Sequence, residues 1–135
     1  MEDALTAPQK NEVALALSRA HCVTLGDYRL ECGKRSPVYV NLRPLQSSPL
    51  ELLRVAHVFA EVTRKYEPDR YVAIPHGATP LTTAISLCTG IGMLTARPER
   101  KEHGIDSLFD GNFTAGMKVI IIDDVITTGG SKAPP

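Results

Sequence analysis

The feature that most constrains this chain is the run Lys118-Val119-Ile120-Ile121-Ile122. Four β-branched aliphatic residues lead straight into Asp123-Asp124 and then into a stretch rich in threonine, glycine and serine. β-Branched side chains are stiff at χ1 and suit the pleated backbone, and four in a row leave no polar face for water. The run is expected as a strand covered on both faces, as strands of a parallel sheet are. Such a strand needs helices to cover it, which points to an α/β fold.

The upstream sequence is punctuated to match. Residues 11–20 place Val13, Leu17 and Ala20 on one helical face. Gly26, Gly33 and Pro37 divide residues 28–43 into short segments such as Val38-Tyr39-Val40, which predicts a small β-hairpin or lobe. Ser48-Pro49-Leu50-Glu51 reads as a helix start: a capping serine, a proline at the first helical position, and a glutamate placed to complete a capping box. Leu52, Val55, Phe59 and Val62 follow at helical spacing, and Pro68 stops the helix near Tyr66. Tyr71-Val72-Ala73-Ile74 ends at Pro75 and reads as a buried strand. Thr79-Pro80 repeats the polar cap followed by proline, for a helix lasting until Gly90. Residues 91–95 form a further strand candidate, and residues 97–111 are polar and charged, a loop. From Ser48 the order is helix, strand, helix, strand, loop, strand, the pattern of a parallel sheet. Ligands of such sheets sit beyond the carboxyl ends of the strands, which selects residues 75–79, 97–103 and 123–131.

Composition bounds the function. At 135 residues, 43% hydrophobic and 22% charged, the chain suits one globular domain (residues 1–135), with a first lobe over roughly residues 1–45 and a core over 46–135. Fifteen basic and 15 acidic side chains balance to zero, which argues against a nucleic-acid partner while leaving room for a small anion held by local cations. Cys22, Cys32 and Cys88 are odd in number and form no Cys-x-x-Cys, so a zinc knuckle or a disulfide framework is not expected. Buried or half-buried free thiols in a reduced, cytoplasmic setting are. Met1-Glu2-Asp3 does not open a signal peptide, and no apolar run approaches the length of a membrane span.

The chemistry concentrates in Ile122-Asp123-Asp124-Val125-Ile126-Thr127-Thr128-Gly129-Gly130-Ser131. Glycines let successive backbone N–H groups converge on one point, and the hydroxyls of Thr127, Thr128 and Ser131 add donors. A helix beginning near Ser131 would add the partial positive charge of its N-terminus. The loop is a phosphate cup, and the two carboxylates beside it are acceptors for sugar hydroxyls. Together they suit a phosphorylated ribose. No Walker loop is present: Gly111 and Gly116 have the spacing, but Met117 stands where lysine is required. Gly90-x-Gly92 is followed by Thr95 at the third position of a dinucleotide fingerprint. Arg97, Arg100, Lys101 and His103, set against Glu99 and Glu102, offer cations for a second anionic group. The loop before Thr79, with His76 and Gly77, offers another anion site.

These residues carry a resemblance. Ile122 to Ser131 is similar to the phosphoribosyl diphosphate motif of the type I phosphoribosyltransferases, and from about Tyr28 onward the chain most resembles the orotate phosphoribosyltransferases. Gly33-Lys34-Arg35-Ser36-Pro37-Val38-Tyr39-Val40 looks like that family's N-terminal Gly-x-x-Ser-Pro stretch, Pro75-His76-Gly77-Ala78-Thr79-Pro80-Leu81 like its diphosphate loop, and Arg97-Pro98-Glu99-Arg100-Lys101-Glu102-His103-Gly104 like its mobile catalytic loop. The resemblance implies a parallel-sheet type I phosphoribosyltransferase fold with a small N-terminal hood lobe, without the usual C-terminal elements. It also implies a glycosyltransferase of pyrimidine biosynthesis that moves ribose 5-phosphate from phosphoribosyl diphosphate to orotate, with Mg2+ held mainly by substrate and no direct protein ligand, and a homodimer. Lys101, His103 and Asp124 would then be catalytic. Arg97, Asp123, Asp124, Val125, Ile126, Thr127, Thr128, Gly129, Gly130, Ser131, His76, Gly77 and Tyr39 would bind substrate. Three cations common in the family are replaced by Glu31, Gly77 and Pro98. A transferase for another base, or a non-catalytic nucleotide-sensing module of the same fold, are the alternatives.

Overall fold

The structure is a computed structural model and describes residues 5–30, 32–97 and 108–124. Glu31, Pro98, Arg100, Lys101 and His103, and the whole cup from Val125 to Ser131, lie outside the described residues.

Helix α1 (Ala7–Arg19) begins at a capping box formed by Thr6: its hydroxyl accepts from the Gln9 amide at 3.4 Å, and the Gln9 side chain accepts from the Thr6 amide at 2.9 Å. Strands β1 (Val23–Arg29) and β2 (Arg35–Val40) form the expected hairpin, which starts earlier than the glycine pattern suggested. Gly26 does not end a segment; it sits at the register shift between Leu25 and Tyr28, where a bulge favours a residue without a side chain. Gly33, with φ +82°, makes the turn. The hairpin leaves Val23, Leu25, Val38 and Val40 exposed, whereas Ala16, Ala20 and Cys22 join the main core. The first 45 residues therefore divide, with α1 packed on the core and the hairpin standing apart as the lobe.

A short 3-10 turn (Arg43–Ser47) leads to α2 (Pro49–Arg64). Ser48 precedes this helix as expected, yet its side chain makes no capping hydrogen bond. The cause is local. The Ser48 amide donates to the Leu45 carbonyl at 2.9 Å to close the preceding turn, so Glu51 has no free amide to cap. Glu51 lies 3.9 Å from Arg54 instead. Strand β3 (Arg70–Ala73) follows, then α3 (Thr79–Thr89). Thr79 is the first helical residue and not the cap. That place falls to Ala78, because the Thr79 amide still reaches the His76 carbonyl and the turn flows into the helix. Gly90 terminates α3 in the left-handed conformation, φ +74°, with its amide on Ser86.

Strand β4 (Met93–Ala96) pairs parallel with β3, and so does β6 (Val119–Ile122) on its other side. The segment read as a continuous loop contains β5 (Phe109–Asp110), antiparallel to β4; two residues are too few for periodicity to reveal. The sheet order is β5-β4-β3-β6. Tyr71, Ile122, Val55, Ala56, Leu81 and Ile85 make the core between sheet and helices. Tyr71 is wholly buried, and its hydroxyl lies 2.8 Å from that of Thr63 on α2, which itself donates to the Phe59 carbonyl at 2.7 Å.

The expectation that β6 is covered on both faces is corrected. Among the described residues β6 is an edge strand, and alternation puts Ile122 in the core while Val119 and Ile121 are 42% and 47% exposed. Four aliphatic residues in a row do not report which neighbours cover them. Leu94, on the far face at the sheet centre, is buried beneath the loop at Gly111. The thiols divide as well: Cys22 is buried and Cys88 half-buried, but Cys32 is exposed on the hairpin turn. No helix among the described residues is long and apolar enough to cross a membrane.

Candidate functional site

Three parallel strands deliver their carboxyl ends to one edge of the sheet. Strand order reverses about β3, so the loop after β3 is flanked by the end of β4 on one side and by the end of β6 on the other. This arrangement brings His76, Gly77, Arg97, Asp123 and Asp124 to one place, although they are spread over 49 positions of sequence.

On the β6 side the approach is close. The Gly77 backbone lies against Asp124, and a Cβ built on Gly77 would stand 1.9 Å from the Asp124 Oδ2 and 2.6 Å from its Cγ. The carboxylate occupies the space a side chain would need. Gly77 is required for room and not for conformation, since its φ lies outside the left-handed region. The Asp124 amide donates to the Asp123 Oδ1 at 2.8 Å, which ties the two acids together as the chain leaves the strand. Both are half-buried. Two carboxylates held at the mouth of the sheet are oxygen acceptors for hydroxyls or for a hard cation.

On the β4 side lies a cleft of about 380 Å³ lined by Pro75, His76, Thr79, Pro80, Thr95, Ala96, Arg97 and Asp110. The Arg97 side chain is only 19% exposed. It forms an ion pair with Asp110, and its Nε donates to the Asp110 Oδ1 at 2.9 Å. This hydrogen bond, reinforced by the charge of Asp110, raises the Arg97 guanidinium above its ordinary pKa, so the cation is permanent. The Arg97 amide donates to the Leu108 carbonyl at 2.8 Å, which holds the start of the charged loop to its end. The cleft thus combines a fixed cation, an imidazole, two hydroxyls and the N-terminal end of α3, with the one lining carboxylate, Asp110, engaged by the arginine, a lining that can take an anionic ligand.

Tyr39 is placed elsewhere. Its ring stacks on Tyr28 within the hairpin, centroids 5.2 Å apart, and it is not among the residues that line the cleft. Asp110 is the residue that sequence reasoning missed. It reads as one more charge in a polar segment, and only the antiparallel β4–β5 register, Thr95 opposite Asp110, carries it to Arg97. Among the described residues no three His, Cys, Asp or Glu side chains cluster as a metal site.

No family model matches the chain. Individual proteins do. An orotate phosphoribosyltransferase of Pyrococcus abyssi is 35% identical over 124 residues, 90% of this chain and 68% of the relative. One of Pyrococcus horikoshii is 33% identical over 124 residues, again 90% of this chain and 67% of the relative. Among solved structures, the UMP synthase of Leishmania donovani superposes with a TM-score of 0.82 at 35% identity, covering 94% of this chain and 27% of that one. The chain therefore spans about two thirds of the archaeal relatives and about a quarter of the Leishmania protein.

Proposed function

The chain belongs to the orotate phosphoribosyltransferase family, and from that premise we propose that it binds phosphoribosyl diphosphate at the carboxyl edge of its sheet and transfers ribose 5-phosphate to orotate. The observation that carries this reading is the Gly77–Asp124 contact, because it sets paired carboxylates and an anion-suited cleft side by side on adjacent parallel strands.

In this reading Asp123 and Asp124 accept from the ribose hydroxyls, and the segment after them, Val125 to Ser131, wraps the 5-phosphate. The diphosphate lies over the β3–α3 loop near His76 and Thr79, with Arg97 on its flank. The bond between the sugar and the diphosphate oxygen breaks as the bond to the base nitrogen forms. Positive charge develops on the ribose and negative charge on the leaving diphosphate, so no protein nucleophile is needed. The residues contribute by positioning and by stabilising charge. Arg97 acts on the departing diphosphate, and Lys101 and His103 are assigned to it as well, to stabilise or protonate it. A homodimer, in which the loop carrying them serves a neighbouring subunit, belongs to the same proposal.

Magnesium fits the donors present. Two hard carboxylates, in a site where no three His, Cys, Asp or Glu side chains cluster among the described residues, suit a cation carried mostly by substrate oxygens and water. Bound there, it would neutralise charge on the diphosphate.

The test is a turnover assay with phosphoribosyl diphosphate, magnesium and a panel of bases, following diphosphate release. Release with orotate is expected. Release only with another base would reassign the substrate, and binding without release would make the chain a sensing module. In titration calorimetry, Asp123→Asn and Asp124→Asn should each weaken phosphoribosyl diphosphate binding by roughly tenfold or more, since each loses a charge-assisted hydrogen bond. Unchanged affinity would remove the acids from the site.

A further inference from the structure

The Arg97–Asp110 pair has a geometry that a simple surface ion pair lacks. Arg97 Nε and Nη2 both end on the same oxygen, Asp110 Oδ1. A guanidinium has five N–H donors in a planar fork, and this contact uses only the Nε edge. Nη1 takes no part in it. Exposure is unequal too: the arginine side chain is 19% exposed and the aspartate 57%. Both residues line the cleft, the cation more deeply set and the acid nearer to solvent. Asp110 itself is fixed by the backbone, because Thr95↔Asp110 and Ala96↔Phe109 are paired positions of β4 and β5. The acid stands on the strand next to the one that Arg97 follows directly.

We propose that Asp110 is a positioning residue for anion binding: it clamps one edge of the Arg97 guanidinium so that the other edge faces the cleft, ready for the diphosphate oxygens. The proposal rests on the phosphoribosyl diphosphate reading of the cleft. A long arginine left free would sample many rotamers and lose that freedom on meeting its ligand; one already clamped has lost it in folding. An ion pair whose acid is 57% exposed adds little to the stability of the fold, so its effect is expected in binding.

The experiment compares the wild-type chain with Asp110→Asn and Asp110→Glu by titration calorimetry, using phosphoribosyl diphosphate with magnesium and, separately, inorganic diphosphate with magnesium. Asp110→Asn is expected to lose about three- to tenfold in affinity for both ligands. KM should rise by a similar factor with a smaller fall in kcat, and Asp110→Glu should recover part of both losses. In an Arg97→Met background, where no cation remains at this position for Asp110 to hold, Asp110→Asn should have little further effect on affinity. Affinity that is unchanged or tighter in Asp110→Asn would overturn the proposal, because Asp110 would then be a bystander or a competitor for Arg97. Loss of the fold in Asp110→Asn, or losses that simply add in the double variant, would make the residue structural and overturn it as well. A wild-type chain that binds inorganic diphosphate but not phosphoribosyl diphosphate would sink the function proposed above and leave the Asp110 comparison to be decided with inorganic diphosphate. Binding of neither would sink both.

Discussion

Gly77→Ala is the sharpest perturbation the site allows. The new methyl would stand 1.9 Å from the Asp124 Oδ2, so that oxygen must retreat by about 1.5 Å to reach ordinary contact. The Asp124 Cβ, at 3.2 Å, is only slightly tight, so the adjustment falls on side-chain rotation and leaves the backbone of β6 nearly in place. A forced rotamer costs about 0.5–1.5 kcal/mol. Restricting the unfolded chain at a position whose backbone suits alanine returns about 0.4–1 kcal/mol. The two nearly cancel, and the net change in stability is expected within about 1 kcal/mol. Function is different. In the proposed binding mode a carboxylate moved by more than about 1 Å no longer meets the ribose hydroxyls, and misplacement on that scale costs up to about a hundredfold. Thermal melting and titration with phosphoribosyl diphosphate and magnesium, on the same preparations, separate the two effects. A nearly unchanged melting midpoint with a ten- to hundredfold weaker affinity is the expected outcome. If Gly77→Ala binds as tightly as wild type, Asp124 does not touch the sugar from where the structure puts it, and the site must be redrawn.

Two further predictions concern the fold. Tyr71→Phe deletes a buried hydroxyl that lies 2.8 Å from Thr63 Oγ1, while Thr63 keeps its bond to the Phe59 carbonyl, so chemical denaturation should show a loss of about 1 kcal/mol; a loss near zero would mean that the hydroxyl pair contributes nothing net. Burial pushes the Cys22 thiol above its ordinary value, against a smaller opposing pull from the Leu45 backbone. The folded value then exceeds the unfolded one, so this contribution to stability is intact below about pH 8.5 and declines as pH rises beyond it. At neutral pH the exposed Cys32 should react with a thiol reagent well before Cys22, whose modification should track unfolding. Rapid labelling of Cys22 in the native protein would refute its burial.

The sequence by itself determined the α/β class, the hairpin, the two long helices near their true limits and the strand that ends in Asp123-Asp124. Each of these is a local property: β-branched runs, helical spacing, prolines at helix starts and Gly90 at a helix end act within a few residues of themselves. It also pointed to the three strand ends that meet, because a parallel sheet must present its carboxyl ends together. What it could not determine were matters of who stands beside whom. Ser48 and Glu51 look like a capping box until the turn before the helix takes the Ser48 amide that Glu51 would have met. Ile120 and Ile121 look equally buried until the sheet, among the described residues, covers one face of β6 and leaves the other open. Asp110 looks like any loop acid until antiparallel pairing seats it against Arg97, and Gly77 looks like turn punctuation until Asp124 arrives from 47 residues away. These outcomes depend on contacts between segments distant in the chain, which only the packed sheet brings within reach.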